Sequence, residues 1–334
     1  MSRRARRALV LAAGFGRRLA PLTAEVPKPL LPVAGRPLVA WTLDALVDAG
    51  CEAIAVNLHH LGETIPAALG ERHRRVPLHY SREPEILGTL GAVGPLRDFL
   101  GEAGEILLVN GDSLCRWPLR TLVERHRRTG AAATLLVAER ADPRGFGGGV
   151  ALAEDGRVLA FRSASLAAAI ARRRRVFAGA QVWRPELLAR VPEGFADTIC
   201  DLYEPLLTEG AEIQSLATRR PWHDLGTPAR YLAGALAWGL AGLPASGVRL
   251  APGATIERGA RVRRSVLEAG ATVAGRSRVE GSLLLPGARV GAGAEIRDSI
   301  LGPGVEVPPG MVATAVLLTV GEAGSVLSTP LARG

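Results

Sequence analysis

The sequence has almost no lysine. Lys28 is the single lysine among 334 residues, and every other member of the 41 lysine and arginine residues is arginine. Lysine is a compact point charge on a flexible stem, whereas arginine is a planar fork, so a site that fits one cation among crowded anionic oxygens distinguishes the two. The alternative is a solvated lysine that escaped a compositional drift toward arginine. The residues around Lys28 must therefore show whether it is a binding residue or a solvated lysine.

Cysteines, long apolar runs and aromatic residues are also scarce. Cys51, Cys115 and Cys200 are widely spaced and form no Cys-x-x-Cys pair, which predicts a reducing, cytoplasmic location. No uninterrupted apolar run reaches the roughly 18 residues of a membrane-spanning helix, so we expect no membrane partner. The arginine runs at 3–7 and 172–175 are not interleaved with aromatic residues, so we expect no nucleic-acid partner.

The composition predicts a globular protein of two domains. A hydrophobic content of 48% with 22% charged residues is typical of a packed chain, and 334 residues exceed the roughly 100 to 200 of one domain. The formal charge of +9 favours anionic partners such as nucleotides or sugar phosphates. The net charge alone does not show which of these anions the protein binds.

Residues 8 to about 240 alternate between short apolar runs and helical segments. Four apolar runs predict buried strands: "ALVLAAG", "AIAVNL", "EILLVNGD" and "AATLLVAE". The segment "PLVAWTLDALVDAG" between the first two has apolar residues at helical spacing. Strand–helix–strand order predicts an α/β fold with a Rossmann-like, mostly parallel sheet flanked by helices, which we assign to residues 1–243. Ligands of such sheets bind beyond the carboxyl ends of the strands.

Residues 244–334 follow a different, regularly repeating pattern. Apolar residues recur with steps of 6, 6 and 5 at Ile256, Val262, Leu267, Val273, Val279, Leu284, Val290, Ile296, Leu301 and Val307. Ser265, Ser282 and Ser299 recur once in each set of three steps. A three-sided coil with one inward aliphatic residue per side explains the spacing, because stacked coils bury a continuous apolar column. The pattern resembles the left-handed parallel β-helix of hexapeptide repeats.

A glycine-containing loop follows the first predicted strand. Gly14 and Gly16 let backbone N–H groups approach an anion closely, and Arg17, Arg18 and Lys28 follow in the same loop. The stretch lacks the third glycine of the dinucleotide fingerprint and the Gly-Lys-Ser/Thr of the phosphate loop. Its positive charge is sufficient to clamp a triphosphate.

Several motifs together resemble the sugar-1-phosphate nucleotidylyltransferases, also called nucleotide-sugar pyrophosphorylases. They occur in the family's order: "LAAGFGRRLAPLT", "PKPLLPVAGRPL", "EPEILGTLGA" at 83–92, "LLVNGD" at 107–112 and "WHDLGTPARYL" at 222–232. The resemblance covers about residues 8–236, and a β-helix tail is frequent in that family. It implies Mg²⁺-dependent transfer of a nucleotidyl group from a nucleoside triphosphate to a sugar 1-phosphate.

The resemblance also implies roles for particular residues. Arg18 and Lys28 take the catalytic positions, and Asp112 and Asp224 those of the magnesium-binding aspartates. The implied nucleotide-binding residues are Ala12, Ala13, Gly14, Gly16, Glu83, Gly88 and Thr89, and the sugar-side candidates are Asn57, Gly147 and Gly179. The residues agree with two of these roles: Asp112 follows a predicted strand, and Thr227 and Pro228 after Asp224 are suited to cap and start a helix.

The chain departs from the family pattern on the sugar side. Ser163 and Ala164 replace a Glu-Lys pair, and Phe177 begins the triplet that is usually Asn-Ala-Gly. The sequence around Phe177 is similar to muramic acid phosphate uridylyltransferases, whereas 83–92 and the tail are similar to mannose-1-phosphate guanylyltransferases, so base and sugar stay open. The alternative function is an inactive regulatory or structural homologue that binds nucleotide-sugar. All six histidines precede the repeat, so we expect the β-helix to form homo-oligomers rather than to catalyse acyl transfer.

Overall fold

The protein forms two compact units. The computed structural model describes residues 5–146, 148–161 and 173–331. Unit 1 contains the chain up to Phe15 together with Val39–Trp222, and unit 2 contains Gly16–Leu38 together with the chain from His223 onward. The loop that carries Arg18 and Lys28 therefore belongs to the same compact unit as the C-terminal repeat.

The helices and strands of the described residues are numbered in chain order. The helices are α1 (Leu38–Asp48), α2 (Thr64–Leu69), α3 (Gly88–Gly91), α4 (Arg97–Gly101), α5 (Leu119–Thr129), α6 (Glu204–Thr208) and α7 (Pro228–Gly239). The first strands are β1 (Arg6–Leu11), β2 (Pro32–Val33), β3 (Arg36–Pro37), β4 (Ala53–Leu58), β5 (Arg72–His73), β6 (Val76–Arg82), β7 (Glu105–Asn110), β8 (Ser113–Cys115), β9 (Ala133–Ala138), β10 (Val150–Leu152), β11 (Val158–Phe161), β12 (Arg173–Trp183), β13 (Ile213–Thr218) and β14 (Trp222–Asp224). The remaining strands are β15 (Val248–Leu250), β16 (Thr255–Ile256), β17 (Arg261–Arg263), β18 (Ser265–Leu267), β19 (Thr272–Val273), β20 (Arg278–Glu280), β21 (Leu283–Leu284), β22 (Arg289–Val290), β23 (Glu295–Arg297), β24 (Ile300–Leu301), β25 (Glu306–Val307), β26 (Val312–Thr314), β27 (Val316–Val320) and β28 (Val326–Pro330).

Unit 1 is built on a mixed ten-stranded sheet. Among the described strands the order is β11-β10-β12-β7-β1-β4-β6-β5, and β9 pairs with β12 and β13. β1 runs parallel to β4 and β7, while β12 runs antiparallel to β7 and β9. The four strands predicted from apolar runs are β1, β4, β7 and β9, and β4 and β9 are buried along their whole length. The predicted α/β class is confirmed.

Helices cover this sheet and complete its core. α4 packs against β1, and α5 packs against β9, β12 and β13. Aliphatic side chains from strands and helices form one buried cluster that includes Leu9, Ile106 and Leu135. Because β1, β4 and β7 are parallel, their carboxyl ends lie along one edge of the sheet, which is where ligands of such sheets bind.

The C-terminal part of unit 2 is the predicted left-handed β-helix. Its strands form three parallel sheets in the orders β15-β18-β21-β24-β27, β16-β19-β22-β25 and β17-β20-β23-β26, and β28 adds antiparallel to β27. Val279 in β20 pairs with Ile296 in β23, which is its counterpart in the next repeat. One full set of the three sequence steps is therefore one complete coil.

Each coil turns at corners whose residues have a left-handed backbone. The corners recur once per coil; one series is Gly253, Gly270, Gly287 and Gly304, with φ between 64° and 74°. A second series is Arg264, Gly281, Asp298 and Ala315. At Gly281 an added Cβ would also meet the carboxylate of Asp298, whose side chain would have to shift. The glycine content of the repeat therefore follows from its corners.

The predicted inward residues fill the β-helix, except in the first coil. Leu267, Val273, Val279, Leu284, Val290, Ile296, Leu301 and Val307 are buried in one cluster. Val262 is partly buried and Ile256 is 36% exposed. The expectation for Ile256 is wrong because its coil has a neighbouring coil on one side only.

The recurring serines form a hydrogen-bonded ladder inside the β-helix. Ser265 Oγ accepts a bond from the Ser282 N–H, and Ser282 Oγ accepts one from the Ser299 N–H, both at 3.1 Å. Each hydroxyl also donates to a carbonyl two residues earlier, as Ser282 does to Glu280 at 2.8 Å. All three serines are fully buried. The hydroxyl therefore satisfies a backbone N–H that faces the next coil.

Ser282→Ala is expected to destabilise the β-helix by about 2 kcal/mol, because the buried Ser299 N–H loses its partner. Urea unfolding followed by circular dichroism measures the loss. Ser325→Ala is the matched control, since the Ser325 hydroxyl is exposed and donates to Glu322. Equal stability of the two variants would contradict the structural role of the ladder.

α7 and the loop at 16–38 pack with the β-helix. α7 contacts β18, β21 and β2. Gly239 at its end lies so close to Val266 that an added Cβ would be 2.8 Å from Val266 Cγ2. The domain boundary after residue 243 therefore stays a prediction from sequence pattern, and the compact units divide the chain differently. In the part of the chain that the structure describes, every helix is too short or too polar to cross a membrane.

Candidate active site

Three cationic side chains surround the carboxylate of Asp224 in unit 2. Lys28 Nζ lies 3.9 Å from Asp224 Oδ1, and Arg230 Nη1 donates to Asp224 Oδ2 at 2.7 Å. A Cβ on Gly226 would lie 2.8 Å from Arg18 Nη2 and 3.0 Å from both Asp224 oxygens, so Arg18 and Asp224 meet at this glycine. Positive charge is in excess among these four side chains, which favours anionic groups.

The loop sequence explains how Lys28 reaches this cluster. Gly16 has φ 64°, and an added Cβ would lie 3.0 Å from Thr23 Cγ2 and 3.4 Å from Lys28 Cβ. Thr23 Oγ1 donates to the Gly16 carbonyl at 3.0 Å, which closes the loop on itself. Pro27 and Pro29 flank Lys28 at the start of a 3-10 turn, where proline is favoured. Lys28 is only 5% exposed.

The start of α7 supplies the rest of the cluster. The predicted cap is confirmed: Thr227 Oγ1 accepts from the Arg230 N–H at 3.3 Å, and Pro228 opens the helix. This turn points Arg230 back at Asp224, six residues earlier. Sequence reasoning missed Arg230, although an arginine one turn into a capped helix after the aspartate is a usable signal. Burial lowers the pKa of His223 from its ordinary value, which favours the neutral imidazole.

In unit 1 a buried hydrogen-bond network joins three strand ends. Asn57 Oδ1 accepts from the Ala12 N–H at 2.6 Å, and Asn57 Nδ2 donates to Glu83 Oε1 at 2.7 Å. Glu83 Oε2 accepts from the Leu87 N–H at 3.0 Å. Ala12, Ala13, Asn57 and Glu83 are all buried. Asn57 and Glu83 thus hold the loops after β1 and β6, and their ligand-binding roles stay predictions.

Gly88 and Thr89 begin α3, which packs tightly on residues 194–198. Gly88 has φ 76°, and an added Cβ would be 2.4 Å from the Ala196 oxygen. Thr89 Oγ1 accepts from the Thr198 N–H at 2.9 Å, yet Thr89 remains exposed. The exposed Thr89 is therefore rigidly held at the surface of unit 1.

Asp112 lies two residues beyond the end of β7. The strand ends at Asn110, and Gly111 donates to the Leu11 carbonyl at 2.9 Å, which joins the ends of β1 and β7. Ser113 Oγ donates weakly to Asp112 Oδ1 at 3.4 Å, and Asp112 is half-buried. The structure thus places Asp112 at the sheet edge where ligands were expected.

Gly179 lies against the side chain of Asn110, whereas Gly147 lies outside the described residues. An added Cβ on Gly179 would be 2.8 Å from Asn110 Nδ2, and Gly179 has φ 86°. Sequence reasoning did not single out Asn110. The signal was its position at the end of a buried strand, directly before Gly111 and Asp112.

Gly14 is exposed, and no atom of the described residues lies within 4 Å of the place an added Cβ would take. Gly14→Ala is therefore expected to leave the unfolding temperature unchanged and to raise the KM for nucleotide about tenfold, or about 1.4 kcal/mol, because the methyl group would occupy space that the ligand needs. Steady-state kinetics with thermal unfolding measures both. Gly94→Ala, which meets only ordinary contact at 3.8 Å, is the control. An unchanged KM would argue against nucleotide binding at this loop.

The metal-binding side chains that the sequence predicts, Asp112 and Asp224, are both carboxylates. No group of three or more His, Cys, Asp or Glu side chains able to hold a metal occurs within residues 5–146, 148–161 and 173–331. Magnesium is usually bound by one or two carboxylates together with water and substrate phosphates. Asp112 and Asp224 supply that donor type.

Comparisons with protein-family models match most of the chain. Residues 7–238 match the model described as Nucleotidyl transferase. Residues 245–315 match the model described as GlmU-like, C-terminal hexapeptide. The second match agrees with the three-sided coils of the β-helix.

Several proteins of known name are similar to about two thirds of the chain. The mannose-1-phosphate guanylyltransferase catalytic subunit beta of Drosophila pseudoobscura pseudoobscura is 30% identical over 231 residues, which is 68% of this chain and 61% of that protein. The mannose-1-phosphate guanyltransferase beta-B of Xenopus laevis is 27% identical, with 68% and 63% covered. The chain thus spans about three fifths of the length of these relatives.

A solved structure shares the fold over about two thirds of the chain. The crystal structure of HddC from Yersinia pseudotuberculosis superposes with a TM-score of 0.57 at 20% identity, covering 69% of this chain and 97% of HddC. A second structure of HddC, complexed with GMP-PN, matches equally well. At this identity the likeness concerns the fold.

Proposed function

The chain belongs to the nucleotidyl transferase family, and from this premise we propose that it transfers a nucleotidyl group from a nucleoside triphosphate to a sugar 1-phosphate. The products are a nucleotide-diphospho-sugar and pyrophosphate. The motifs at 11–38, 83–92, 107–112 and 222–232 supply the family's residues, and the cationic cluster around Asp224 supplies the charge that such substrates require.

The observation that carries the proposal is the environment of Lys28. Its side chain is almost fully buried, its ammonium lies 3.9 Å from the carboxylate of Asp224, and Arg18 and Arg230 lie beside the same carboxylate. Three cations around one carboxylate create a positive local potential, which attracts anionic ligands. Substrate phosphates are the anions that the family's substrates provide.

The reaction needs positioning and charge neutralisation more than proton transfer. A phosphate oxygen of the sugar 1-phosphate attacks the α-phosphorus of the nucleotide, a new P–O bond forms, and the bond to pyrophosphate breaks. The nucleophile is already anionic at neutral pH, so no general base is required. Arg18 and Lys28 hold the phosphates in line and stabilise the charge on the departing oxygens.

Magnesium is part of the proposal. Asp112 and Asp224 are the carboxylates that would bind it, together with phosphate oxygens. When bound, the ion would neutralise phosphate charge and polarise the α-phosphoryl group. The residues of the chain bind and orient the two substrates.

The names of the relatives indicate which substrates to test first. Relatives at 25–30% identity are named mannose-1-phosphate guanylyltransferases or guanyltransferases. We therefore propose GTP and mannose 1-phosphate as the first pair. The second pair is UTP and the anomeric phosphate of N-acetylmuramic acid, because of the sequence around Phe177. A cytoplasmic location and a homo-oligomer formed through the β-helix belong to the same proposal.

A substrate screen tests the proposal. Four nucleoside triphosphates are each incubated with a panel of sugar 1-phosphates and MgCl₂, and pyrophosphate release is measured with and without EDTA. We expect release with at least one pair and its loss with EDTA. Nucleotide-sugar binding without pyrophosphate release in any combination would favour the inactive regulatory homologue instead. Light scattering tests the oligomer, which a monomer would contradict.

A further inference from the structure

Glu268 is a buried carboxylate at a coil position that other coils fill with small or apolar residues. Its counterparts one coil earlier and one coil later are Ala251 and Leu285, and the next is Gly302. Ala251 and Leu285 are buried, and Glu268 itself is 1% exposed. An acidic side chain is costly at such a position unless it is hydrogen-bonded. The exception in the repeat therefore points to a specific partner.

The partner is the tight turn that joins β2 and β3. Glu268 Oε2 accepts from the Gly35 N–H at 2.8 Å, and the Ala34 N–H also stabilises the carboxylate. Ala34 and Gly35 both have positive φ, 54° and 83°, as in a two-residue type I′ hairpin. The N–H groups of these two central residues point away from the hairpin ladder and need an outside acceptor.

The hairpin follows Lys28 by only a few residues. Lys28–Leu30 is a 3-10 turn closed by the Leu31 N–H donating to the Lys28 carbonyl at 3.1 Å. The Leu38 N–H then donates to the Leu31 carbonyl at 2.9 Å and closes the base of the hairpin. The position of the turn at 34–35 is thereby transmitted to Lys28 through a short, hydrogen-bonded segment.

α7 fixes the same hairpin from its other side. The buried Tyr231 donates its hydroxyl to the Pro32 carbonyl at 2.6 Å. Tyr231 is adjacent to Arg230, which binds Asp224. The hairpin is thus held at Pro32 by α7 and at Gly35 by the β-helix.

We propose that Glu268 is a positioning residue for catalysis, which binds the hairpin at 32–37 and so holds Lys28 at Asp224. The β-helix then contributes to the active site directly, in addition to any role in oligomer formation. This inference rests on the proposed nucleotidyl transfer. Glu268 touches neither substrate nor metal and acts through the backbone of Ala34 and Gly35.

Burial of Glu268 has a cost that the structure does not fully offset. Burial raises the pKa of Glu268, while the bonds from Gly35 and Ala34 lower it less. Among the described residues Glu268 Oε1 is buried without a partner. A leucine there, as at Leu285, would avoid the cost of burying a carboxylate but would leave the Ala34 and Gly35 N–H groups without this acceptor.

The test compares Glu268→Leu, Glu268→Gln and a control in the full-length protein. Glu257→Leu is the control, because Glu257 also accepts a backbone N–H within the β-helix, from Gly275 at 2.8 Å, but is exposed. We expect Glu268→Leu to remain folded, because water can bind the N–H of the exposed Gly35, while kcat falls roughly ten- to a hundredfold, as small misplacements of reacting groups do. Glu268→Gln, which retains an acceptor oxygen, should recover most of kcat, and Glu257→Leu should match the wild type.

Amide hydrogen exchange provides a readout that does not depend on turnover. Exchange at Ala34 and Gly35 is expected to be about tenfold faster in Glu268→Leu and unchanged in Glu257→Leu. Wild-type kcat in Glu268→Leu, or unchanged exchange at the hairpin, would overturn the inference, as would an equal loss of kcat in Glu257→Leu. If the wild type itself turned over no substrate pair, the proposed function would fail, and the exchange result alone would decide whether Glu268 holds the hairpin.

Discussion

Replacing Lys28 by arginine is expected to lower kcat by a factor of about 100 or more, because one preorganised cation at a site of developing charge contributes about that much. The substitution keeps the positive charge, so the loss of kcat would come from the different shape of the side chain. Lys28 is 5% exposed, its Cβ lies close to Gly16, and its ammonium must reach Asp224 at 3.9 Å. A planar guanidinium needs more room in that space than a single ammonium group.

The measurement is pyrophosphate release at saturating substrates, with circular dichroism and thermal unfolding to verify the fold. Lys28→Met serves as the comparison, since it keeps an unbranched side chain but removes the charge. If the arginine and methionine variants lower kcat equally, the contribution of Lys28 to kcat depends on the geometry of its ammonium group. An arginine variant of intermediate activity would show that both charge and shape contribute. Undiminished turnover in Lys28→Arg would remove the role assigned to this lysine.

Gly88→Ala is expected to destabilise unit 1 by about 3 to 4 kcal/mol, through backbone strain and steric overlap together. Its positive φ is strained for alanine, at a cost of about 1 kcal/mol or more. The new Cβ would also lie 2.4 Å from the Ala196 oxygen, which accepts from the Leu90 N–H at 2.9 Å. Relief of that overlap must move the backbone at 194–198, and the loss of its hydrogen bonds accounts for the remainder.

Gly70→Ala separates backbone strain from the steric overlap. Gly70 has φ 70°, but an added Cβ would meet no atom of the described chain within 4 Å. Urea unfolding should therefore give a loss of about 1 to 3 kcal/mol for Gly70→Ala, from backbone strain alone, and a larger loss for Gly88→Ala. Equal losses would mean that the contact with Ala196 relaxes without cost. Nucleotide affinity should fall in Gly88→Ala alone, because Thr89 moves with the loop.

Much of the fold could be read from local sequence pattern. The runs at β1, β4, β7 and β9 are apolar because these strands are buried, and burial leaves a signal in composition. The β-helix was the most predictable part, since each coil makes the same contacts and the sequence therefore repeats with every coil. Ile256 departs from the pattern because the end of a stack lacks the neighbour that buries the other members.

The sequence predicted which residues form the candidate site but not how they are arranged. Motifs named Arg18, Lys28 and Asp224, but only the folded chain shows Arg230 beside the same carboxylate. Asn57 and Glu83 were assigned to ligands, and their polar atoms hold the loops after β1 and β6. A motif records which residue types recur and does not say whether a polar side chain faces a ligand or a backbone group.

Sequence pattern alone was sufficient to predict two features, the alternation of apolar strands with helices and the repeating three-sided coil, because each is produced by contacts between residues near in the chain or at a constant spacing. The folded chain was needed to show that Gly16–Leu38 belongs to the compact unit of the β-helix and that Glu268 binds Gly35. Glu268 and Gly35 are 233 positions apart, and their contact has no equivalent in the other coils, so no periodicity in the sequence predicts it. Such a contact depends on how finished elements pack together, which local propensity and spacing leave undetermined.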